Sequence, residues 1–226
     1  MKTPYTLGIL GGAGPRAAVK FQQYFLDAWN ELTGSWRDAD FPRLVVDTKP
    51  LKGMNETGIS DLSRFEKDIW WRIDSVDFSH CDAVVVPCFS AHSMWKPRNH
   101  GQRWINLRHL AMEQFEPPQH PYSITMLEAE GTTPEDKTFR REWENHFNTY
   151  VCPLGPGGKQ IVEKLIQEGM GKDTQRYFAP CFGGSKDIHI LGCSELSLVN
   201  LWNMNTYDAL KGSAIGLSKY IKKVTK

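Results

Sequence analysis

The feature that most constrains the fold is a pattern that occurs twice. In Asp82-Ala-Val-Val-Val-Pro87-Cys88 a short, β-branched apolar run ends in a cysteine. Asp187-Ile-His-Ile-Leu-Gly-Cys193 repeats the arrangement, with the aspartate six positions before the cysteine each time. A continuous apolar run closed by a proline suits a strand buried on both faces of a parallel sheet. The cysteine then falls at the strand's carboxyl end, where open α/β sheets place their ligands. The two cysteines lie 105 positions apart (193 − 88), and the candidate first strands begin 117 apart (Tyr5 and Tyr122), each near half of the 226 residues. Two duplicated α/β lobes with uneven insertions account for that spacing.

The rest of the chain fits this division. Tyr5–Leu10 reads as a first strand and Gly11-Gly-Ala-Gly-Pro15 as a tight turn into a helix over Ala17–Asn30, with Pro15 suited to its first turn. A helix start of this kind holds anions through its free N–H groups. Gly12, Gly14 and Ala17 also match G-x-G-x-x-A, the loose form of a dinucleotide-binding fingerprint. Its acidic partner belongs about 20 residues on, whereas the acid of the next strand, Arg43–Asp47, comes 33 positions after Gly14 (47 − 14), so the nicotinamide reading is the weaker one. A polar loop with Thr48, Lys49 and Lys52 follows, then a helix over Asp61–Val76, the Cys88 strand and a helix over Arg103–Gln114. Pro117-Pro118 is the best internal boundary. Beyond it a strand is expected over Tyr122–Leu127 and helices over Thr138–Phe147, Lys159–Glu168 and Thr206–Val224. The expected division is an N-terminal lobe over 1–116, a C-terminal lobe over 119–205, and a last helix over 206–226 packing back on the first lobe.

Charge is balanced, 27 basic residues against 26 acidic, so nothing argues for nucleic acid or an anionic membrane as partner. No apolar run reaches the length of a membrane span. The N-terminus lacks the pattern of a secretory signal, which makes the cytoplasm the expected compartment. Five cysteines without a C-x-x-C pair or zinc-ligand spacing argue against a disulfide framework and a structural zinc site. Cys81, Cys152 and Cys181 are expected to be small residues without chemistry.

A thiol needs a neighbour or a dipole to ionise near neutral pH, and a strand-end cysteine entering a helix has exposed N–H groups beside it. One such cysteine is unremarkable. Two, carried alike by opposed lobes, suit a cleft with a thiol on each wall and proton transfer at one carbon from opposite faces. One thiolate acts as general base while the other thiol acts as general acid, and donors beside each would stabilise the developing enolate-like charge. Such a pair inverts a stereocentre without a metal or organic cofactor. His92 is expected either to orient or charge the Cys88 region or to be an ordinary hydrogen-bonded histidine, and His189 to be structural. Glu195 is expected to support Cys193, contact a substrate ammonium or cap the helix that starts there.

Gly11-Gly-Ala-Gly-Pro15, Pro87-Cys88-Phe-Ser-Ala-His92 and Leu191-Gly-Cys193-Ser-Glu-Leu196 resemble the three signatures of the aspartate/glutamate racemase family, and Gly131-Thr132 resembles its additional Gly-Thr motif. The resemblance implies a cofactor-independent amino-acid racemase of two pseudo-symmetric lobes, a homodimer, with Cys88 and Cys193 as acid/base pair and an acidic amino acid as favoured substrate. It implies substrate contacts from Gly12, Ala13, Thr48, Lys49, Lys52, Phe89, Ser90, Ala91, Thr132, Ser194 and Glu195. The chain departs from the family's usual Asn-Thr after the first cysteine with Phe89-Ser90, and from the usual Thr after the second with Ser194. Lys49 or Lys52 stands where an Arg is common, and Glu135 where a small Ser usually follows the Gly-Thr motif. Lys159 and Gln160 lie near a polar position of the second-lobe helix. The alternatives are a sister isomerase on the same scaffold (diacid cis–trans isomerase or hydantoin racemase) and a non-catalytic homologue that binds a small ligand.

Overall fold

The computed structural model describes residues 5–55, 58–95, 104–117, 123–128, 138–152, 187–198 and 205–225. Two three-stranded parallel sheets organise them. In the first, β1 (Thr6–Leu10) lies between β2 (Arg43–Asp47) and β5 (Ala83–Val85). In the second, β6 (Ile124–Leu127), β7 (Ile188–Leu191) and β8 (Thr206–Asp208) pair in that order. Two isolated parallel bridges complete a correspondence between them. Trp104 pairs with Val84 beyond β5, and Cys152 pairs with Thr125 on the free side of β6. Each sheet therefore runs second, first, third, fourth along its width, and each cysteine follows the third position. A two-residue hairpin, β3 (Met54–Asn55) with β4 (Gly58–Ile59), lies in the loop after β2.

Helices cover both faces of the first sheet, as a parallel sheet of apolar strands requires. α1 (Pro15–Thr33) buries Ala17, Ala18, Phe21, Phe25, Ala28 and Trp29 at helical spacing and ends at Gly34, whose φ of 68° is the left-handed helix-terminating conformation. α2 (Leu62–Ile73) is capped by the Asp61 carboxylate, which accepts from the Arg64 N–H, and it packs Phe65, Ile69 and Ile73 onto the opposite face with Val84 and Val86. α3 (Leu107–Glu113), capped by Asn106, and α4 (Phe139–Phe147), capped by Thr138, join a core cluster that extends from Leu7 and Ile9 to Met126 and Ile190. One apolar core thus runs under both sheets.

α5 (Ala209–Thr225) packs along α1 and α3. Lys222 Nζ donates to the Leu32 carbonyl at 2.8 Å, and the Tyr207 hydroxyl to the Ala111 carbonyl at 2.5 Å. The helix expected over Thr206–Val224 starts later than its sequence pattern suggests. Thr206–Asp208 pair with His189–Leu191 as a strand, and the Asp208 carboxylate accepts from the Lys211 N–H at the helix start. Similarly, the helix expected from Arg103 begins at Leu107, because Trp104 is drawn into the first sheet. The helix expected over Lys159–Glu168 lies outside the described residues.

Candidate active site

The two cysteines are presented by the same local device. After β5 and after β7 the chain turns into a 3-10 helix, Phe89–Met94 in one lobe and Ser194–Leu198 in the other. In both, the cysteine carbonyl accepts the N–H three residues on: Ala91 to Cys88 at 3.1 Å, Leu196 to Cys193 at 3.0 Å. The tight turn leaves backbone N–H groups facing sulfur, those of Ser90 and Ala91 at Cys88 and that of Glu195 at Cys193. This is the N–H cradle expected at a strand end.

Glu195 ties the halves of the site together. Its Oε2 accepts from the Cys193 thiol at 3.0 Å and from the Ser194 hydroxyl at 3.0 Å. Its other oxygen lies against the glycine turn of the first lobe, where a Cβ on Gly14 would come within 2.5 Å of Oε1. Gly14 also has φ 130°, a conformation closed to side chains, so glycine is required twice over. The Glu195 carboxylate acts electrostatically on Cys88 as well as on Cys193, and Cys88 acts on Cys193. The structure therefore brings Cys88, Cys193, Glu195 and the Gly11–Gly14 turn together.

Both thiols are held protonated. Burial, then the Glu195 carboxylate, push Cys88 up to about 12, while the Ala91 and Ser90 N–H groups and the Arg108 guanidinium pull the other way. Burial pushes Cys193 well above the ordinary thiol value, helped by the charge and hydrogen bond of Glu195 and by Cys88, with the Glu195 N–H opposing. Such mutual repulsion among a carboxylate and two thiols disfavours a second ionised sulfur once one has formed.

The loop after β2 lies over the glycine turn. Leu51 N–H donates to the Gly12 carbonyl at 3.2 Å, and a Cβ on Gly12 would run into the Lys49 carbonyl. Buried Arg72 pins this loop from beneath, donating to the Lys49 and Pro50 carbonyls at 2.6 Å each and pairing with Asp47 at 3.2 Å. Thr48, Lys49 and Lys52 are exposed on it, while Ala13 is buried in the turn. Ser90 is partly exposed, and Ala91 and Ser194 are buried. Thr132 and the rest of the Gly-Thr motif lie outside the described residues, as do Glu135, Lys159, Gln160 and Cys181.

Phe89 is placed differently from a ligand contact. Its ring is 2% exposed and packs on Phe139 of α4 with centroids 4.9 Å apart, so its side chain belongs to the core. His92 is buried against Trp104 and bonds the Val86 carbonyl through Nε2 at 3.0 Å; burial, then Arg108, lower its pKa to about 3. It is a neutral structural histidine. His189 is buried within β7. Sequence reasoning passed over Arg108, which is 1% exposed and donates Nε–H to the Phe89 carbonyl at 2.7 Å. The available signal was its spacing to Ala111, Met112 and Phe115, which sets an arginine on the apolar stripe of a helix.

No protein-family model matches the chain. Among solved structures, the aspartate racemase of Picrophilus torridus superimposes with a TM-score of 0.67 at 18% identity, covering 96% of this chain and 94% of that one. The chain has the aspartate/glutamate racemase fold. Glutamate racemase from Campylobacter jejuni shares this racemase fold with a TM-score of 0.60 at 14% identity, over 97% of this chain and 85% of that one. A broad specificity amino-acid racemase of Bacillus subtilis, RacX, is 20% identical over 207 residues, 85% of this chain and 86% of the relative. The two-lobed α/β architecture implied by the sequence motifs is that of the racemase fold. No helix among the described residues is long and apolar enough to cross a membrane, and among them no cluster of three or more His, Cys, Asp or Glu side chains is placed to hold a metal ion.

Proposed function

We propose that the chain is an amino-acid racemase in which Cys88 and Cys193 exchange the roles of general acid and general base at one α-carbon. The observation that carries this reading is the matched presentation of the two thiols, each at the end of a third strand and both within the field of Glu195, with Cys88 acting on Cys193. Glu195, already the acceptor of the Cys193 thiol proton at 3.0 Å, takes that proton as substrate arrives. The Cys193 thiolate removes the α-hydrogen, so that a C–H bond breaks and an S–H bond forms. Cys88 delivers its own proton to the opposite face, and the thiolate it becomes is held by the Ser90 and Ala91 N–H groups. The reverse reaction starts from the Cys88 thiolate. No group beyond the two thiols and Glu195 is needed to balance the protons.

The reading extends to the substrate. Its carboxylate suits the glycine turn at Gly12 and Ala13 and the hydroxyl and backbone donors at Ser90, Ala91 and Ser194. The exposed loop with Thr48, Lys49 and Lys52 favours a second negative charge, hence aspartate or glutamate. Thr132 completes the set by resemblance to the family motif, and homodimer assembly in the cytoplasm is proposed on the same ground. The test is a panel of single-enantiomer amino acids in D₂O, followed for optical change and α-deuteration. Racemisation with deuterium at the α-carbon is expected for at least one acidic amino acid. Ligand binding without α-deuteration would leave a binding protein on a racemase scaffold, and exchange confined to a hydantoin or a diacid would make it a sister isomerase.

A further inference from the structure

The geometry points to Arg108 as the positioning residue of Cys88: it bolts the loop that carries the thiol to the second lobe and sets a buried positive charge beside it. The inference deepens the racemase reading of the same site. Arg108 belongs to α3 of the first lobe and is 1% exposed. Its Nε–H donates to the carbonyl of Phe89, the residue after Cys88, at 2.7 Å. Its Nη1 reaches α4 in the second lobe, pairing with Glu142 Oε1 at 2.6 Å, and its guanidinium lies 5.5 Å over the Phe139 ring. Phe89 stacks on that same ring. One planar cation thus fixes a loop of one lobe to a helix of the other, a task for which the rigid fork of arginine is suited and the point charge of lysine is not.

The charge is felt at sulfur. Cys88 is faced by Arg108 from α3, by Glu195 and Cys193 from the second lobe, and by the N–H groups of its own turn. Arg108 is faced in turn by Glu142 and Glu128. Arg108 is the side chain among these that favours the Cys88 thiolate, and Glu142 offsets part of its charge. Removing each partner must then move the thiol in opposite directions. A purely structural clamp would behave otherwise, since loosening it from either side opens the loop alike.

The test is alkylation of Cys88 by iodoacetamide at pH 8, read peptide by peptide by mass spectrometry in Arg108→Met and Glu142→Gln. Arg108→Met is expected to slow Cys88 about tenfold, the change in thiolate fraction for one pKa unit, and Glu142→Gln to speed it several-fold, with Cys193 changing less in both. Both variants moving Cys88 in the same direction, or neither moving it, would overturn the inference. If Arg108→Met loses its native circular dichroism, Glu142→Gln decides alone, and a rate unchanged, slowed or raised equally at Cys193 overturns the inference. The readout needs no turnover, so opposite shifts in a protein that never deuterates an amino acid would sink the racemase reading and leave the clamp standing.

Discussion

His92 should make the protein acid-sensitive in a way that one substitution removes. The imidazole is 2% exposed, and Nε2–H donates to the Val86 carbonyl at 3.0 Å, leaving Nδ1 as a buried acceptor without a partner among the described residues. Protonation would set a second buried cation near Arg108, and the folded-state pKa falls from 6.5 to about 3. The unfolded chain protonates near 6.5, so the stabilising contribution is complete above that pH and is lost as pH falls through the window to about 3. The slope is about 1.4 kcal/mol per pH unit. Between pH 6.5 and 4 the wild type should therefore lose about 3 kcal/mol on account of this residue alone. In His92→Phe a ring remains against Trp104, and the Val86 carbonyl keeps the Cys88 N–H, which donates to it at 2.7 Å. Urea unfolding at pH 7.5 should show the variant within about 1 kcal/mol of wild type. At pH 4 it should be the more stable of the two. Stability curves that run parallel from pH 7.5 to 4 would refute the buried, neutral histidine.

Two further substitutions test the site from its supports. Phe89→Asn, which restores the residue type usual in the family, should destabilise by about 3–5 kcal/mol, because it removes a core ring and buries an amide in its place; thermal unfolding measures it, and a change below about 1 kcal/mol would place the ring outside the core. Glu195→Gln removes the carboxylate that raises both thiols, so alkylation of Cys193 at pH 8 should speed several-fold while racemisation falls for want of a proton acceptor. Slower alkylation would show that Glu195 does not oppose the thiolate.

Much of this arrangement is legible in the chain because it is local. The short, β-branched apolar runs ending at Cys88 and Cys193 suit strands buried on both faces, and a glycine turn followed by proline marks the entry to α1. What periodicity could not resolve is where pairing competes with helix formation. Trp104 and Thr206–Asp208 sit at the starts of helical patterns, yet each is captured by a neighbouring strand edge. The site shows the same limit. Sequence spacing puts Phe89 beside the thiol, but only the approach of α4 decides that its ring turns to Phe139 instead. Arg108 and Glu142 lie 34 positions apart, and no local pattern announces an ion pair between lobes.

The central claim is that each cysteine serves as base for one enantiomer only. A substrate analogue with a leaving group on the β-carbon reports this directly, because elimination needs a single abstraction whereas racemisation needs both thiols. Each enantiomer should be offered to Cys88→Ser, to Cys193→Ser and to the double variant, and both elimination and racemisation followed. Neither single variant should racemise; one should still eliminate from one enantiomer and the other from its mirror image, with the double variant inert to both. Near-normal racemisation by a single variant, or elimination of the same enantiomer by both, would contradict the two-thiol mechanism.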